Sequence, residues 1–409
     1  MTMILISDCL CLLLISLLFI NVFYKFWWTP ICIQCKMRSL GIKDHLNYKM
    51  IPMDLSHHIF PMVLPHIYSW IKLYGMNFLY WHGPQPQLVV TQPELIKEIL
   101  KNDKEGAFPK TKVQGFMEKF LGRGLPQAKS MIPTIIASVN IMFERWRQYE
   151  GTEIDVFNEF KVLTSDIISM TAFGSSYLEG EKIFRMLTRM ISIFSKNELK
   201  IITPGIGKLL KTHDEIESDE IQQGIRASIM KVIKKREENV KTEELDSYGN
   251  DLIDECKTFY IAGHETTTNL LSWTILLLAT HTDWQDRARK EVLELSCQQI
   301  PSPHSISRLK TGEDVLLFKP ERFAEGVAKA TNNNMSAYLP FGLGPRTCVG
   351  LNFATKQAEV ALSMILQRCK FTLSPTYVHS PVRALTTCPQ YGVQVILKAV
   401  SEAPSHKIC

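Results

Sequence analysis

Hydrophobic residues recur at helical spacing along most of the chain, and few stretches alternate between apolar and polar residues as strands do. The longest helical patterns cover residues 132–198, 218–239, 251–281, 284–295 and 351–368. Shorter patterns predict helices over residues 68–73 and 93–100, strands over residues 77–81 and 87–91, and a turn-rich, strand-like end over residues 371–397. Together they predict a mainly α fold with a minor β part.

The beginning of the chain is its most apolar stretch. Residues 4–23 are almost all apolar and long enough to cross a bilayer, and Lys25, Trp27 and Trp28 follow as residues typical of a membrane interface. A cleaved signal peptide is the alternative, but residues 1–7 contain no basic residue. We therefore predict a membrane anchor over residues 1–28, a linker over residues 29–52 and a cytoplasmic main domain over residues 53–409.

Composition and charge exclude several classes of protein. With 409 residues, 45% of them hydrophobic, the chain can bury a large core in one domain or two. The net charge of +5 comes from scattered basic residues, so no nucleic-acid partner is expected. Cys32 and Cys35 form a single C-x-x-C pair with no second pair nearby, so we expect no structural zinc site.

Residues 341–350 place one cysteine in a glycine-rich turn directly before a predicted helix. Gly342, Gly344 and Gly350 would let the backbone turn tightly around Cys348 and approach a flat ligand. A thiolate at a helix N-terminus is favoured by the helix dipole and by unpaired N–H groups. Such a thiolate suits the axial position of a haem iron, and Arg346 can pair with an acidic group of that ligand. A buried structural cysteine is the alternative.

The centre of the predicted helix over residues 251–281 is interrupted by small and polar residues. Ala262 and Gly263 would expose backbone to a flat ligand. Threonine hydroxyls can bond the preceding turn and widen the helix, which would leave room for Thr266, Glu265 and water to carry protons. A polar notch in helix packing is the alternative. We interpret His264 as an exposed or packing residue instead of an iron ligand.

The spacing F-G-x-G-x-R-x-C-x-G of residues 341–350 resembles the haem-thiolate loop of the cytochrome P450 monooxygenases. Residues 262–267 resemble the oxygen-activating motif of the same family, and residues 320–323 match its P-x-R-F segment. Residues 259–292 and 318–380 are similar to a plant, microsomal branch that contains secologanin synthase and gibberellin-modifying relatives. The resemblance covers most of the chain and implies a cytochrome P450-like fold with an N-terminal transmembrane helix.

The resemblance implies roles for individual residues. Cys348 would be the iron ligand of a haem cofactor, Arg346 would pair with a propionate, and Phe341 would shield the sulfur. Thr266 would hydrogen-bond the dioxygen substrate, while Glu265 would pass protons from solvent.

The implied reaction inserts one oxygen atom of O2 into a small hydrophobic molecule, such as a terpenoid, a hormone or a fatty-acid-like compound. The electrons would come from a flavoprotein reductase. Arg346, Lys356 and Arg368 are candidates for docking that reductase, although they are equally consistent with solvated surface charge. The implied location is a single-pass membrane protein of the endoplasmic reticulum.

Segments typical of the family are missing. No E-x-x-R helix lies between the predicted long helix and the cysteine loop, and no W-x-x-x-R helix is found around residues 127–133. We predict internal deletions near residues 130, 252 and 311, which would leave Arg322 without its usual partners. The haem-thiolate domain over residues 53–409 is therefore expected to be incomplete. A truncated, non-catalytic remnant that binds haem weakly or not at all is the alternative function.

Overall fold

A computed structural model of the chain describes residues 2–44, 59–82, 85–101, 108, 131–173, 177–197, 212–236, 242–296, 320–321 and 323–400. It forms two compact units. The first comprises residues 1–108 with residues 201–203, and the second comprises the remainder of the chain.

The first unit combines helices with a small sheet. Its described helices are α1 (Thr2–Phe23), α2 (Thr29–Ser39), α3 (Ile59–Val63), α4 (Pro65–Tyr74) and α5 (Pro93–Lys101), with a π-helical turn (Tyr24–Trp28) between the first two. Its strands are β1 (Lys43–Asp44), β2 (Asn77–His82) and β3 (Gln85–Val90). Strand β2 pairs in parallel with β1 and antiparallel with β3, and Trp70 of α4 packs edge-on against Phe78 of β2. The helices and strands predicted for residues 68–100 are confirmed, and α2 lies within the segment predicted as a linker.

The side chains of α1 are described from Leu12 onward, and its apolar side chains from there to Phe23 are exposed. Among the described residues, no helix is both long enough and apolar enough to cross a membrane. The transmembrane helix predicted within residues 1–28 is thus not confirmed.

The second unit is mainly helical. Its described α-helices are α6 (Ile132–Trp146), α7 (Val156–Ile168), α8 (Tyr177–Asn197), α9 (His213–Arg236), α10 (Thr242–Thr280), α11 (Thr282–Ser296), α12 (Val327–Ala330) and α13 (Leu351–Arg368), and a π-helical turn (Ser169–Phe173) follows α7. Its strands are β4 (Glu153–Asp155), β5 (Cys369–Leu373), β6 (Pro381–Arg383), β7 (Thr387–Pro389) and β8 (Gln394–Ala399). Strand β8 lies between β4 and β5 in one antiparallel sheet, and β6 and β7 form a separate hairpin.

Helix α7 shows why this unit folds as it does. The side chain of Asp155 accepts a hydrogen bond from the amide of Phe157 at 3.1 Å and so caps the helix. Its apolar residues Val156, Phe160, Leu163 and Ile167 recur at helical spacing and are at most 1% exposed. Because that stripe faces α6, α10, α13 and the β4-β8-β5 sheet, one continuous core joins these elements.

The mainly α fold with a minor β part is confirmed. Helix α13 has the predicted bounds, whereas α10 begins nine residues before the predicted start at residue 251. The predicted junction near residue 252 therefore lies inside a continuous helix. The junctions near residues 130 and 311 lie at or within segments outside the described residues, as does the side chain of Arg322.

Candidate functional site

The cysteine loop is built by two glycines with left-handed backbone. Gly342 has a φ of +76° and Gly344 a φ of +74°, a region that side chains with a Cβ rarely adopt. The chain folds back between them and Cys348, so that the Cys348 amide donates to the carbonyl of Phe341 at 2.8 Å. Gly350 has an ordinary φ of −81°, and a Cβ there would make only an ordinary contact with the Cys348 sulfur, so neither the backbone nor the described neighbours require glycine at this position.

The sulfur of Cys348 is accessible. The cysteine is free and exposed, and a Cβ placed on Gly350 would lie 3.7 Å from Sγ. Helix α13 begins at Leu351, three residues later, so the thiol lies beside a helix N-terminus as predicted. A buried structural cysteine is the interpretation that this exposure contradicts. Arg346 ends a short 3-10 helix, Gly344–Arg346, which the Thr347 amide closes by donating to the Gly344 carbonyl at 3.1 Å. The side chain of Arg346 lies outside the described residues.

The second part of the site is the centre of α10. Ala262 and Thr266 are exposed one turn apart on the same face, and the Thr266 hydroxyl donates to the Ala262 carbonyl at 2.5 Å. A side chain at position 263 would point to a different side of the helix, toward Ile168 and Phe353. A Cβ there would lie 2.3 Å from Cδ1 of Ile168 and 3.9 Å from Cε1 of Phe353. Gly263 therefore permits close packing of α10 against α7 and α13, and its role beside a flat ligand stays a prediction.

That packing relates the two parts of the site. Phe353 follows Cys348 by five residues on the first turn of α13, and it lies beside Gly263 on α10. The helix that follows the thiol loop is therefore packed against the centre of α10. An exposed thiol in a loop with left-handed glycines and the exposed residues Ala262 and Thr266 on α10 are chemically suited to holding a haem.

His264 is a packing residue, as predicted, and it is buried. It is 8% exposed, with its ring 5.2 Å from that of Phe184. Burial, together with a smaller effect of the positive charge of Lys161, lowers the pKa of His264 to about 4. The neutral imidazole is therefore the form that the fold accommodates.

Glu265 has partners that the sequence did not reveal. Thr386 donates a hydrogen bond to its Oε1 at 3.1 Å, and Asn269 lies 3.4 Å from the same oxygen. Thr386 is 121 residues away in the chain and comes from the turn between β6 and β7. The four-residue spacing of Glu265 and Asn269 is the one signal that sequence reasoning could have used.

The basic residues considered for reductase docking already have contacts. Lys356 lies 3.4 Å from a carboxylate oxygen of Glu359. Arg368 donates to the side chain of Asn140 at 3.0 Å and lies over the ring of Phe143. These contacts show no preference for a partner surface over solvated charge.

Comparison with known proteins identifies the family. The cytochrome P450 family model matches residues 114–311 and 313–395, more than half of the chain. The chain belongs to the cytochrome P450 family of monooxygenases, which are oxidoreductases, and the haem-thiolate cofactor, the use of dioxygen and a reductase partner are properties of that family.

Similar plant proteins place it within the family. The cytochrome P450 CYP749A22 of Panax ginseng is 43% identical over an alignment of 506 positions, gaps included, that covers 96% of each chain. Secologanin synthase 2 of Catharanthus roseus is 33% identical, covering 91% of this chain and 93% of its own. The 11-oxo-beta-amyrin 30-oxidase of Medicago truncatula is 32% identical, covering 84% of each. The predicted relation to the plant branch with secologanin synthase is confirmed.

Proposed function

We propose that the chain is a haem-thiolate monooxygenase that inserts one oxygen atom of O2 into a small hydrophobic molecule, with electrons from a flavoprotein reductase. The observation that carries the proposal is the exposed, free thiol of Cys348 at the N-terminus of α13. When bound, the haem would supply the iron that activates dioxygen. Cys348 would hold that iron.

The residues around the thiol would shape the site. Gly342 and Gly344 hold the loop in a conformation that other residues rarely adopt. Gly350 would complete the loop before α13, a role that comes from the family resemblance. Phe341 would shield the sulfur, and Arg346 would pair with a propionate. Both of the latter roles come from the family resemblance.

The residues of α10 would handle protons. Thr266 is exposed and its hydroxyl is directed along the helix to Ala262, which leaves the hydroxyl oxygen able to accept a hydrogen bond. Glu265 lies directly before Thr266 in the helix. Because it is half-buried, it can exchange protons with solvent. Ala262 provides the small side chain beside them.

The substrate class is part of the proposal. One relative is named for oxidation of 11-oxo-beta-amyrin and another for the synthesis of secologanin, which supports a terpenoid over a hormone or a fatty-acid-like molecule. The turn between β6 and β7, at residues 384–386, packs against buried apolar side chains near α10 and is a candidate wall of the substrate cavity.

Membrane attachment also belongs to the proposal. Helix α1 exposes apolar side chains from Leu12 to Phe23, and Trp27 and Trp28 follow, exposed. This supports an anchor at residues 1–28 in the endoplasmic reticulum, with the main domain in the cytoplasm. Extraction of membranes with alkaline carbonate would leave an anchored chain in the pellet, whereas release of the chain into the supernatant would contradict the anchor.

A non-catalytic remnant is the second candidate, because the chain is shorter than its relatives. The alignment with the ginseng protein spans 506 positions, 97 more than the 409 residues of this chain, and the family match breaks at residue 312. On α13, Gln357 is fully buried, and neither atom of its amide group has a hydrogen-bond partner within the described residues. The length difference supports internal deletions, and the break at residue 312 supports the one near residue 311. The deletions near residues 130 and 252 remain predictions.

Isotope-labelled dioxygen tests the first candidate. The chain would be incubated with a plant flavoprotein reductase, its nicotinamide reductant and 11-oxo-beta-amyrin as the first of a panel of terpenoid probes. We expect a product that carries one labelled oxygen atom, and we expect none from the Cys348→Ser variant. A wild-type chain that binds no haem would instead favour the remnant.

A further inference from the structure

One face of α10 is attached to the β6–β7 hairpin by three residues at four-residue spacing. Glu265, Asn269 and Trp273 lie one turn apart along this face. The indole N–H of Trp273 donates to the carbonyl of Thr387 at 3.0 Å, and the other two residues meet the side chain of Thr386. The hairpin turn is therefore held against the helix at the level of Glu265.

The direction of the hydrogen bonds is defined. The side-chain amide of Asn269 donates to Oγ1 of Thr386 at 2.5 Å. Because that bond occupies a lone pair of the hydroxyl, its proton is left for Glu265, to whose Oε1 it donates at 3.1 Å. Oε2 of Glu265 makes no hydrogen bond within the described residues. One carboxylate oxygen is thus held while the other stays available.

The pKa of the Cys388 thiol is consistent with this position of the Glu265 carboxylate. Burial raises the pKa of the Cys388 thiol, and the negative charge of Glu265 raises it further. Cys388 lies on β7, two residues beyond Thr386. The carboxylate is therefore close enough to the hairpin for its charge to act there.

We propose that Thr386, oriented by Asn269, is a positioning residue that fixes the Glu265 carboxylate for proton delivery at the exposed face of α10. This rests on the proposed function, since it deepens the role of Glu265 in that reaction. Thr386 itself touches no reacting atom. Its hydroxyl holds Oε1, so that Oε2 takes and releases the proton from a fixed position.

The contact is tested first on unfolding, which requires no haem. A double-mutant cycle of Thr386→Val and Glu265→Leu in the full chain separates this hydrogen bond from the packing of the hairpin. We expect Thr386→Val to lower the folding equilibrium constant about tenfold in the wild-type background. In the Glu265→Leu background the same change should cost less than about threefold. Equal losses in both backgrounds would overturn the contact.

The positioning role is tested on the haem-loaded chain, with dioxygen as the probe. We expect Thr386→Val to slow reductant-driven oxygen consumption about tenfold and to increase its solvent isotope effect, because proton delivery becomes slower. Thr386→Ser keeps the hydroxyl and should stay within about twofold of the wild type. Thr274→Val is the matched control, since the Thr274 hydroxyl donates to Leu270 of its own helix at 2.7 Å.

The possible failures are distinguishable. Coupling in the unfolding cycle with an unchanged rate and isotope effect in Thr386→Val would overturn the positioning role and leave the proposed function intact. A wild-type chain without a thiolate-type haem spectrum would overturn the proposed function and the role together, and it would be recognised before any variant is compared.

Discussion

Two faces of helix α10 differ in what covers them. On one face, Thr267, Thr268, Leu271 and Ser272 are at most 1% exposed, and the hydroxyls of Thr268 and Thr164 lie 2.7 Å apart against α7. On the other face, Ala262, Thr266 and Leu270 recur every fourth residue and are exposed. The same helix therefore has one buried face that carries polar side chains and one exposed face of small and apolar residues.

Because the two faces differ in packing, we expect substitutions on the packed face to change stability and substitutions on the open face to change activity. The hydroxyls of Thr268 and Ser272 on the packed face bond Thr164 or a preceding carbonyl, so changing them costs folding free energy, whereas the hydroxyl of Thr267 has no hydrogen-bond partner within the described residues. Residues of the open face make few contacts within the described part of the chain, so changing them should affect chemistry and leave the fold. Substitutions along a single helix can test this separation.

The largest effect is expected in acid, on the packed side of the helix. His264 has a pKa of about 4 in the fold and 6.5 when unperturbed, so the unfolded chain takes up its proton first as the pH falls. The contribution of His264 to the free energy of unfolding is constant above about pH 6.5. About 3 kcal/mol of that free energy is lost between pH 6.5 and 4.

Denaturant unfolding at a series of pH values measures this loss. His264→Gln should remove it, whereas His213→Gln, at an exposed position, should leave it unchanged. A His264→Gln variant with the acid sensitivity of the wild type would contradict the assignment.

A smaller effect is expected where α10 meets α7. Gly263→Ala should lose about 1–3 kcal/mol to overpacking against Ile168, reduced by about 1 kcal/mol of helix propensity. Ile168→Val removes the Cδ1 atom that lies 2.3 Å from the new Cβ. We expect that change to destabilise the wild type by about 1 kcal/mol and to be neutral or stabilising beside Gly263→Ala. Additive losses in urea denaturation would contradict the close approach.

The smallest stability effects compare the two faces directly. Thr268→Val removes a buried hydroxyl pair with Thr164 and should cost about 1 kcal/mol. Thr266→Val, on the exposed face, should change the unfolding free energy by less than about 0.5 kcal/mol while it lowers oxygen-dependent turnover. Denaturation curves and turnover rates, both measured for Thr268→Val and Thr266→Val, check the two predictions. The separation fails if Thr266→Val destabilises the chain as much as Thr268→Val does.

Sequence reasoning predicted the elements with strong local signals. Helix α13 keeps an apolar period from its first residue, and its predicted bounds are correct. The first nine residues of α10 are largely polar, so periodicity placed its start too late. Strand β4 is three residues long and exists by pairing with β8, more than two hundred residues away, which a local pattern cannot reveal.

In the candidate site, too, local sequence patterns could not reveal contacts between distant segments. The spacing around Cys348 and Thr266 is local and identified both residues. The packing role of Gly263 was missed because its neighbour Ile168 comes from another helix. Thr386 was missed because its contact with Glu265 joins two distant segments. Motifs within one segment were therefore predictable, whereas contacts between segments required the fold.

The most direct test is the carbon monoxide difference spectrum of the reduced chain, expressed in full in microsomal membranes beside its Cys348→Ser variant. We predict a red-shifted Soret band of the thiolate type in the wild type and its loss in the variant. Immunodetection would establish that both proteins are present. A wild-type spectrum typical of histidine ligation, or no haem signal, would contradict the assignment of Cys348 as the iron ligand.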